Sequence, residues 1–350
     1  LHSSYSNSLS LDADKTYRVK DGFKTMNIKT GLYPFVQFDR INVNLDFDQL
    51  EYYGCKYNSL QIMVYDTITL RPWKNFNTAG SGRFGSWPVC DTVPGGTRNF
   101  FEFPYTDFNY RKKAMDFLDQ IPAGMFVSIT NLGRSDNTSF IDAWKADTTT
   151  WGSGNSLYHK LKAVGFDKID SFSHNLPFLY FYKKNNAGFL PREIMGLTED
   201  VQIDENIILP SKFRSGTITS PLFGPARNWQ TLHWRGKSLD ATATADTVKI
   251  EVYGVKNNGT EVLMTTVTQA QDTTLAFIDA AIYPYVKLKM QNADEENATP
   301  YQLRYWRINA GYLPEGALAP NILFTMKDTL AQGDKIDFAI AFKNVSNVAF

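Results

Sequence analysis

The stretches Leu60-Gln61-Ile62-Met63-Val64-Tyr65 and Phe178-Leu179-Tyr180-Phe181-Tyr182 decide the fold class of this sequence. Each is a dense apolar run of strand length, rich in the aromatic and branched side chains that pack well on a pleated surface. Aromatic residues make up 14% of the chain, with 25 Phe and 18 Tyr, and this favours strands over helices. The sequence therefore predicts a mainly β protein.

A helical pattern interrupts the strands between these two runs. Apolar residues that share one helix face are Ala114, Phe117, Leu118 and Ile121. Their spacing predicts an amphipathic helix, and Ser139 followed by Asp142 predicts a capping box that opens a short helix around Trp144. Helices set between strands indicate an α+β domain.

Three domains are expected, since 350 residues are too many for one ordinary domain. Residues 1–185 form the α+β domain. Residues 186–318 show short strand patterns separated by turns, which predict an antiparallel β-sandwich. Residues 319–350 give two strands joined at Gln332-Gly333-Asp334, the opening hairpin of a truncated Ig-like domain.

Charge argues against a nucleic-acid partner, and hydropathy argues against a membrane-spanning segment. Lys+Arg and Asp+Glu each number 36, so a neutral chain offers no electrostatic footprint for nucleic acid. The longest apolar runs have strand length, which predicts no membrane-spanning segment. Because the sequence starts at Leu1 without Met or signal peptide, we expect a piece of a longer protein whose targeting signal lies elsewhere.

Neither a catalytic centre nor a cofactor site is predicted. The four histidines, His2, His159, His174 and His233, lack metal-ligand spacing. No phosphate-binding glycine loop or nucleophile motif occurs in the sequence, so we expect no enzyme, no cofactor and no transition metal. The acidic turn Asp294-Glu295-Glu296 leaves two interpretations, a calcium-binding loop and the commoner solvated turn.

The two cysteines, Cys55 and Cys90, are either free thiols or a disulfide. Cys90 ends a segment rich in Gly and Pro, residues 80–90, which a covalent bond would stabilise. We predict the disulfide, in keeping with an extracytoplasmic location.

Tryptophans supply the candidate ligand-binding residues. Trp87, Trp144 and Trp151 lie in turn-rich segments, where exposed indoles contact a protein or stack on a glycan. The alternative is that they cover the ends of their own core. Trp229 and Trp234 are five residues apart, so one strand would direct them to opposite faces, with at least one in the core.

The segment from about Leu60 to Lys184 resembles the interleukin-like EMT inducer domain. The resemblance rests on Ile62–Asp66, Phe101–Pro104, Phe117-Leu118-Asp119-Gln120-Ile121-Pro122-Ala123-Gly124, Leu161–Gly165 and Leu179–Lys184. The segment departs from that family by a long insertion at 75–98. The resemblance implies the α+β fold for this part of the chain.

The second part resembles a galactose-binding-type jelly roll through Gly216–Pro221 and Trp229–Trp234. Tyr283–Leu288, Thr299–Leu303 and Leu313-Pro314-Glu315 resemble the Bacteroidota cell-surface proteins related to PorU of the type IX secretion system. That family carries a gingipain-like cysteine peptidase domain, which this chain lacks. The resemblance implies a cell envelope location and a role around secretion or surface attachment.

The expected function is therefore a non-catalytic accessory segment of a secreted or surface-attached bacterial protein. It would scaffold or recognise a protein partner at the cell envelope. The alternative is an array of carbohydrate-binding modules attached to a surface enzyme.

Overall fold

The computed structural model describes residues 3–37, 40–90, 96–240, 246–269 and 271–349. These residues fold mainly into antiparallel sheets, which confirms the predicted mainly β class. The strands are β1 Ser4–Tyr5, β2 Leu9–Leu11, β3 Tyr17–Val19, β4 Asp21–Thr30, β5 Asn42–Leu45, β6 Asp48–Glu51, β7 Ser59–Tyr65, β8 Asn75–Thr78, β9 Ser81–Gly82, β10 Thr97–Arg98, β11 Phe101–Pro104, β12 Phe126–Leu132, β13 Phe178–Lys183, β14 Arg192–Met195, β15 Ile203–Lys212, β16 Ser215–Thr219, β17 Ala226–Lys237, β18 Asp246–Val255, β19 Glu261–Val267, β20 Thr273–Thr274, β21 Tyr285–Asp294, β22 Gln302–Tyr312, β23 Gly316–Leu318, β24 Phe324–Met326, β25 Phe338–Ile340 and β26 Phe342–Asn344. The α-helices are α1 Phe108–Gln120, α2 Ile141–Ala146, α3 Thr148–Trp151 and α4 Leu157–Ala163, and 3-10 turns occur at Arg83–Gly85 and Asp167–Ser171.

Two compact units make up the chain. The central unit is Asp21–Lys212, and the terminal unit combines Leu1–Lys20 with Phe213–Phe350. Strand pairing shows why this division differs from the expected boundary at 185/186. Both β14 and β15 follow residue 185, yet β14 pairs with β13 and β15 pairs with β4. The expected domain types and the boundary at 318/319 stay predictions.

The central unit has three layers. Its middle layer is the sheet β11-β7-β12-β13-β14, and every residue of β7 and β12 is buried. One face of that sheet packs on the helices, through Ile62, Phe103 and Tyr180. The other face packs on the sheet β15-β4-β5-β6, through Tyr65 and Phe181. Because both faces are covered, the strands read as continuous apolar runs rather than alternating ones.

Helix α1 has the predicted buried face and a local signal that starts it. Asp107 is the N-cap, and its side chain accepts the backbone N–H groups of Asn109 and Tyr110. Helix α2 also forms, but Phe140 is its N-cap and the predicted capping box is absent there. The Ser139 hydroxyl instead donates to the Phe172 carbonyl, which fixes the loop before α2.

The terminal unit is built from antiparallel sheets. The sheet β1-β16-β21-β18-β19 and the sheet β20-β17-β22 contribute to one core, which includes Leu288, Ile250 and Trp234. The first twenty residues belong here, because β1 pairs with β16 and Leu9 fills the same core. A Cβ on Gly216 would overlap the Leu9 side chain, so glycine permits this close approach.

Both Trp229 and Trp234 are buried in this core. Their odd spacing predicts opposite faces, but the pairing of β17 with β22 shifts register between Trp229 and Thr231. A β-bulge of this kind adds one residue and reverses the alternation, so both indoles point inward.

The segment after residue 315 forms an antiparallel ladder, in which β23 pairs with β26 and β24 pairs with β25. Its large apolar side chains are exposed, including Leu318, Phe324, Phe338 and Phe342. A two-stranded ribbon buries little surface by itself.

None of the helices in the described part of the chain combines the length and the apolar character needed to cross a bilayer.

Candidate binding surfaces

Trp144 lies in the core of the central unit, with 0% of its surface exposed. Its ring packs on Phe140 at 4.8 Å between centroids, and its indole N–H donates to the Tyr105 carbonyl at 3.2 Å. The side chain has no surface left for a partner. The prediction of Trp144 as a ligand-binding residue is therefore corrected: the indole seals the core beneath α1 and α2.

Trp151 remains at the surface and is half-buried. Its ring stacks on Phe108, with centroids 4.4 Å apart and planes inclined by 28°. Phe108 is itself exposed, so the pair presents two aromatic rings at the start of α1. Phe108 was not predicted from the sequence patterns. The signal that could have found it is an aromatic residue directly after the Asp107 N-cap.

Trp87 is also half-buried, but its ring faces are occupied by its own unit. The Lys56 ammonium lies 4.4 Å from the ring centroid, and the Tyr110 ring lies 5.6 Å away. The backbone N–H of Trp87 donates to the Glu102 carbonyl at 2.7 Å. Trp87 therefore holds the insertion 75–98 on the strand β11.

A disulfide joins Cys55 to Cys90, so the paired interpretation of the two cysteines is the one the structure adopts. The buried carboxylate of Glu102 accepts the Cys55 backbone N–H at 2.9 Å. Burial raises the pKa of Glu102 to about 8, although the N–H groups of Cys55 and Lys56 and the charge of Arg98 oppose the shift. Arg98 forms a buried ion pair with Glu51 at 3.1 Å.

An exposed apolar patch lies at one end of the sheet β15-β4-β5-β6, on the face turned away from the core. Phe23 on β4 is 78% exposed, and Ile208 on β15 is 68% exposed. Phe23 pairs with Pro210, and Ile208 pairs with Thr25 two residues along, so the two side chains share one face. We call Phe23, Phe47 and Ile208 the sheet-end patch.

Phe47 lies in the turn between β5 and β6, beside the end of β4, and is fully exposed. Asp46 fixes that turn: its backbone N–H donates to the Thr25 carbonyl at 2.8 Å, and its side chain accepts the Thr25 N–H at 2.9 Å. These two bonds hold the turn that carries Phe47 against β4.

A cavity of about 530 Å³ lies on the terminal unit, and most of its exposed lining is apolar. Side chains that line it include Ser8, Thr217, Lys249, Thr268 and Gln291. Lys249 and Gln291 both hydrogen bond to the carboxylate of Glu251, at 3.0 Å and 2.8 Å. Burial alone would raise the pKa of Glu251, but hydrogen bonds from Lys249 and Tyr253 outweigh burial and lower the pKa. Two polar side chains of the cavity wall, Lys249 and Gln291, are thus held in place by Glu251.

Ser156 and His159 are in contact at the start of α4. The hydroxyl of Ser156 lies 2.9 Å from His159 Nδ1, a distance that would suit a nucleophile and its base. Ser156, however, is buried at the start of α4 and accepts the His159 backbone N–H, so its oxygen caps the helix. This pair has the geometry of an N-terminal cap rather than of an exposed nucleophile.

The acidic residues at the end of β21 and in the turn after it differ in burial. Asp294 points inward and is 1% exposed, whereas Glu295 and Glu296 are exposed. Three backbone N–H groups bond to Asp294, those of Glu296, Asn297 and Thr299. Burial would raise the pKa of Asp294, but these bonds outweigh burial and lower the pKa.

Comparison with known proteins adds little. No family model matches this chain, and no curated protein matches it. One solved structure, that of the Gx strain of infectious bursal disease virus, is similar at 10% identity over 85% of this chain and 72% of its own, with a TM-score of 0.13. A similarity that slight does not bear on the fold or the function.

Proposed function

We propose that this chain is a non-catalytic recognition segment of an extracytoplasmic bacterial surface protein, and that it binds a protein partner at the cell envelope. The resemblance to PorU-related proteins of type IX secretion supports the location. The sheet-end patch supports the binding role and is the observation that carries this proposal.

The patch fits a protein partner for physical reasons. Phe23, Phe47 and Ile208 expose two aromatic rings and a branched side chain on a backbone that sheet pairing holds rigid. Large apolar side chains in water gain free energy when a partner covers them, and clustered ones mark interaction surfaces more often than single ones do. Lys29 and Asp204, an ion pair at 2.7 Å on the same two strands, place charged groups farther along that face.

The double variant Phe23→Ser/Phe47→Ser tests this proposal. We expect it to keep its fold and to bind the outer-membrane protein fraction at least about tenfold more weakly, because loss of anchoring aromatics dominates interface energies. Phe76→Ser is the matched control, since Phe76 is an exposed ring on β8, outside this sheet.

A photo-crosslinking amino acid at position 47 of the full-length parent protein identifies the partner. One crosslinked protein from position 47, and none from position 76, supports the proposal. Equal binding by the double variant and the wild type would overturn it. Weakened binding by Trp151→Ala alone would move the docking surface to the rings of Phe108 and Trp151.

The cavity of the terminal unit favours a second candidate, a carbohydrate-binding module. A mostly apolar lining with a few hydroxyl and amide side chains, such as Thr217 and Gln291, is typical of small-ligand sites, although carbohydrate sites also use aromatic rings for stacking. A glycan array with the wild type and Gln291→Leu separates the two functions. Glycan binding that Gln291→Leu abolishes, with the double variant unaffected, would favour the carbohydrate-binding function.

A further inference from the structure

Two aspartates face each other across a strand pair inside the terminal unit. Asp246 on β18 is directly opposite Asp294 on β21. Along β21 the inward positions are Val286, Leu288 and Met290, followed by Asn292 and Asp294. Like charges directly opposite each other destabilise a sheet. The row of inward-facing residues on β21 therefore ends at Asp294, whose charge is repelled by that of Asp246.

Asp240 adds a third negative charge. Carboxylate oxygens of Asp240, Asp246 and Asp294 all lie within 4.8 Å of one another. Oxygen ligands bind calcium at 2.3–2.6 Å, so two ligands on opposite sides of one ion are about 5 Å apart. The three carboxylates thus lie at separations that one ion would span.

Hydrogen bonds stabilise two of the three carboxylates but bring no positive charge: backbone N–H groups donate to Asp294, and the Asn297 side-chain amide donates to Asp240. The Thr299 hydroxyl lies 2.8 Å from Asp294 Oδ2 and 2.7 Å from Asp240 Oδ1. It has one proton and can donate to only one of the two oxygens. Within the described residues, none of the three carboxylates forms an ion pair with Lys or Arg, and the neighbouring Arg214 pairs with Glu295 at 3.1 Å.

Unpartnered buried groups give a second, independent observation. Asn292 is 3% exposed, and in the described part of the chain neither its side-chain oxygen nor its nitrogen has a hydrogen-bond partner. It occupies the inward position two residues before Asp294, and its cross-strand partner, Val248, lies two residues after Asp246. A buried amide without partners is costly, so an oxygen from Asn292 is available as a neutral ligand.

Asp246 is a second side chain with buried polar atoms. Both of its carboxylate oxygens are buried, and among the residues that the structure describes neither has a donor in hydrogen-bonding geometry. Burial raises the pKa of Asp246, and the charges of Asp294 and Asp240 raise it further, while the nearby Ser238 hydroxyl acts in the opposite direction.

We propose that Asp240, Asp246 and Asp294 bind one hard divalent cation, with Asn292 as a neutral oxygen donor beside them. Calcium fits better than magnesium, because the ligands come from a loop and two strands in irregular array, and calcium accepts such geometry. The ion would connect the end of β18 to the turn after β21. This inference does not depend on the proposed binding function.

Calorimetric titration of the whole chain after removal of metal with EDTA tests the site. We expect one calcium to bind with a dissociation constant at or below about 1 mM, the weak end for extracellular modules. Magnesium at the same ionic strength should bind more weakly. Calcium should also raise the melting temperature of the terminal unit.

Two variants and a control locate the ion. Asp246→Asn and Asp240→Asn should each weaken calcium binding at least about tenfold, since affinity follows the number of charged ligands. Without calcium, Asp246→Asn should melt no earlier than the wild type, because it removes like-charge repulsion. Asp328→Asn is the control, as Asp328 is exposed and outside the cluster.

Three results would overturn the site. They are the absence of calcium binding by the wild type, an equal loss of affinity in Asp328→Asn, and a melting temperature that responds to pH but not to calcium. The last would mean that a proton rather than a metal ion relieves the repulsion.

Discussion

Strand β7 of the central unit and strand β21 of the terminal unit bury their side chains in different ways. All seven residues of β7 are buried, whereas β21 alternates strictly between buried and half-buried positions over its ten residues. The difference follows from layering, since β7 lies between helices and a second sheet, and β21 has one face on the core of the terminal unit. A continuous apolar run therefore indicates a strand covered twice, and alternation indicates a strand covered once.

The two units also differ in how the chain builds them. The central unit is one continuous segment, Asp21–Lys212, whereas the terminal unit closes only when residues from both ends of the sequence meet. Three substitutions test how the two units are held together, two in the central unit and one in the terminal unit.

The largest effect is expected from Trp144→Ala in the central unit. Removing a fully buried indole should cost about 3–5 kcal/mol of unfolding free energy, because it leaves a cavity in a tightly packed core. Scanning calorimetry should show a lower transition for the central unit and an unchanged transition for the terminal unit. Trp151→Ala is the control, and loss of its stacking on Phe108 should cost about 0.5–1.5 kcal/mol. Similar losses for both variants would contradict the assignment of Trp144 to the core and Trp151 to the surface.

A smaller effect is expected from Gln302→Leu in the terminal unit. The Gln302 side chain accepts the Tyr17 backbone N–H at 2.7 Å and donates to the Tyr17 carbonyl at 2.9 Å. Leucine leaves both buried backbone groups without a partner, which should cost about 1–3 kcal/mol.

Hydrogen exchange at the Tyr17 amide measures this loss directly. We expect faster exchange in β2 and β3, with the central unit unaffected. The exposed Gln230 on the same sheet provides the control Gln230→Leu, which should change neither. Unchanged exchange in Gln302→Leu would show that residues 1–20 do not depend on this contact.

At low pH, the smallest effect of the three substitutions is expected from Glu102→Gln. The pKa of Glu102 rises from 4.5 to about 8 on folding, so the folded state binds the proton more tightly than the unfolded state. Stability of the central unit should therefore be full below pH 4.5 and should fall as the pH rises toward 8. Glutamine imitates the protonated acid, so the variant should match the wild type at low pH and lose the decline. Urea unfolding across this range checks the sign, and an equal decline in both proteins would rule out Glu102 as its source.

Much of the secondary structure could be predicted from the sequence, because it depends on local patterns. The runs at 60–65 and 178–182 form β7 and β13, and the spacing of Ala114, Phe117 and Leu118 places the buried face of α1. The candidate site was less predictable. A turn-rich setting does not show whether an indole points inward, so Trp144 and Trp151 look alike in sequence but differ in burial.

Composition and periodicity by themselves determined the mainly β class, the position of α1 and the exclusion of a long apolar helix, since these depend on neighbours a few residues apart. Only the tertiary structure decided what depends on distant parts of the chain. A bulge in β17 brings Trp229 and Trp234 to one face, and pairing of β1 with β16 places the first residues in the terminal unit. Pairing of β18 with β21 sets Asp246 against Asp294. Register between strands far apart in sequence leaves no local signal, because the energy that fixes it comes from packing across the whole sheet.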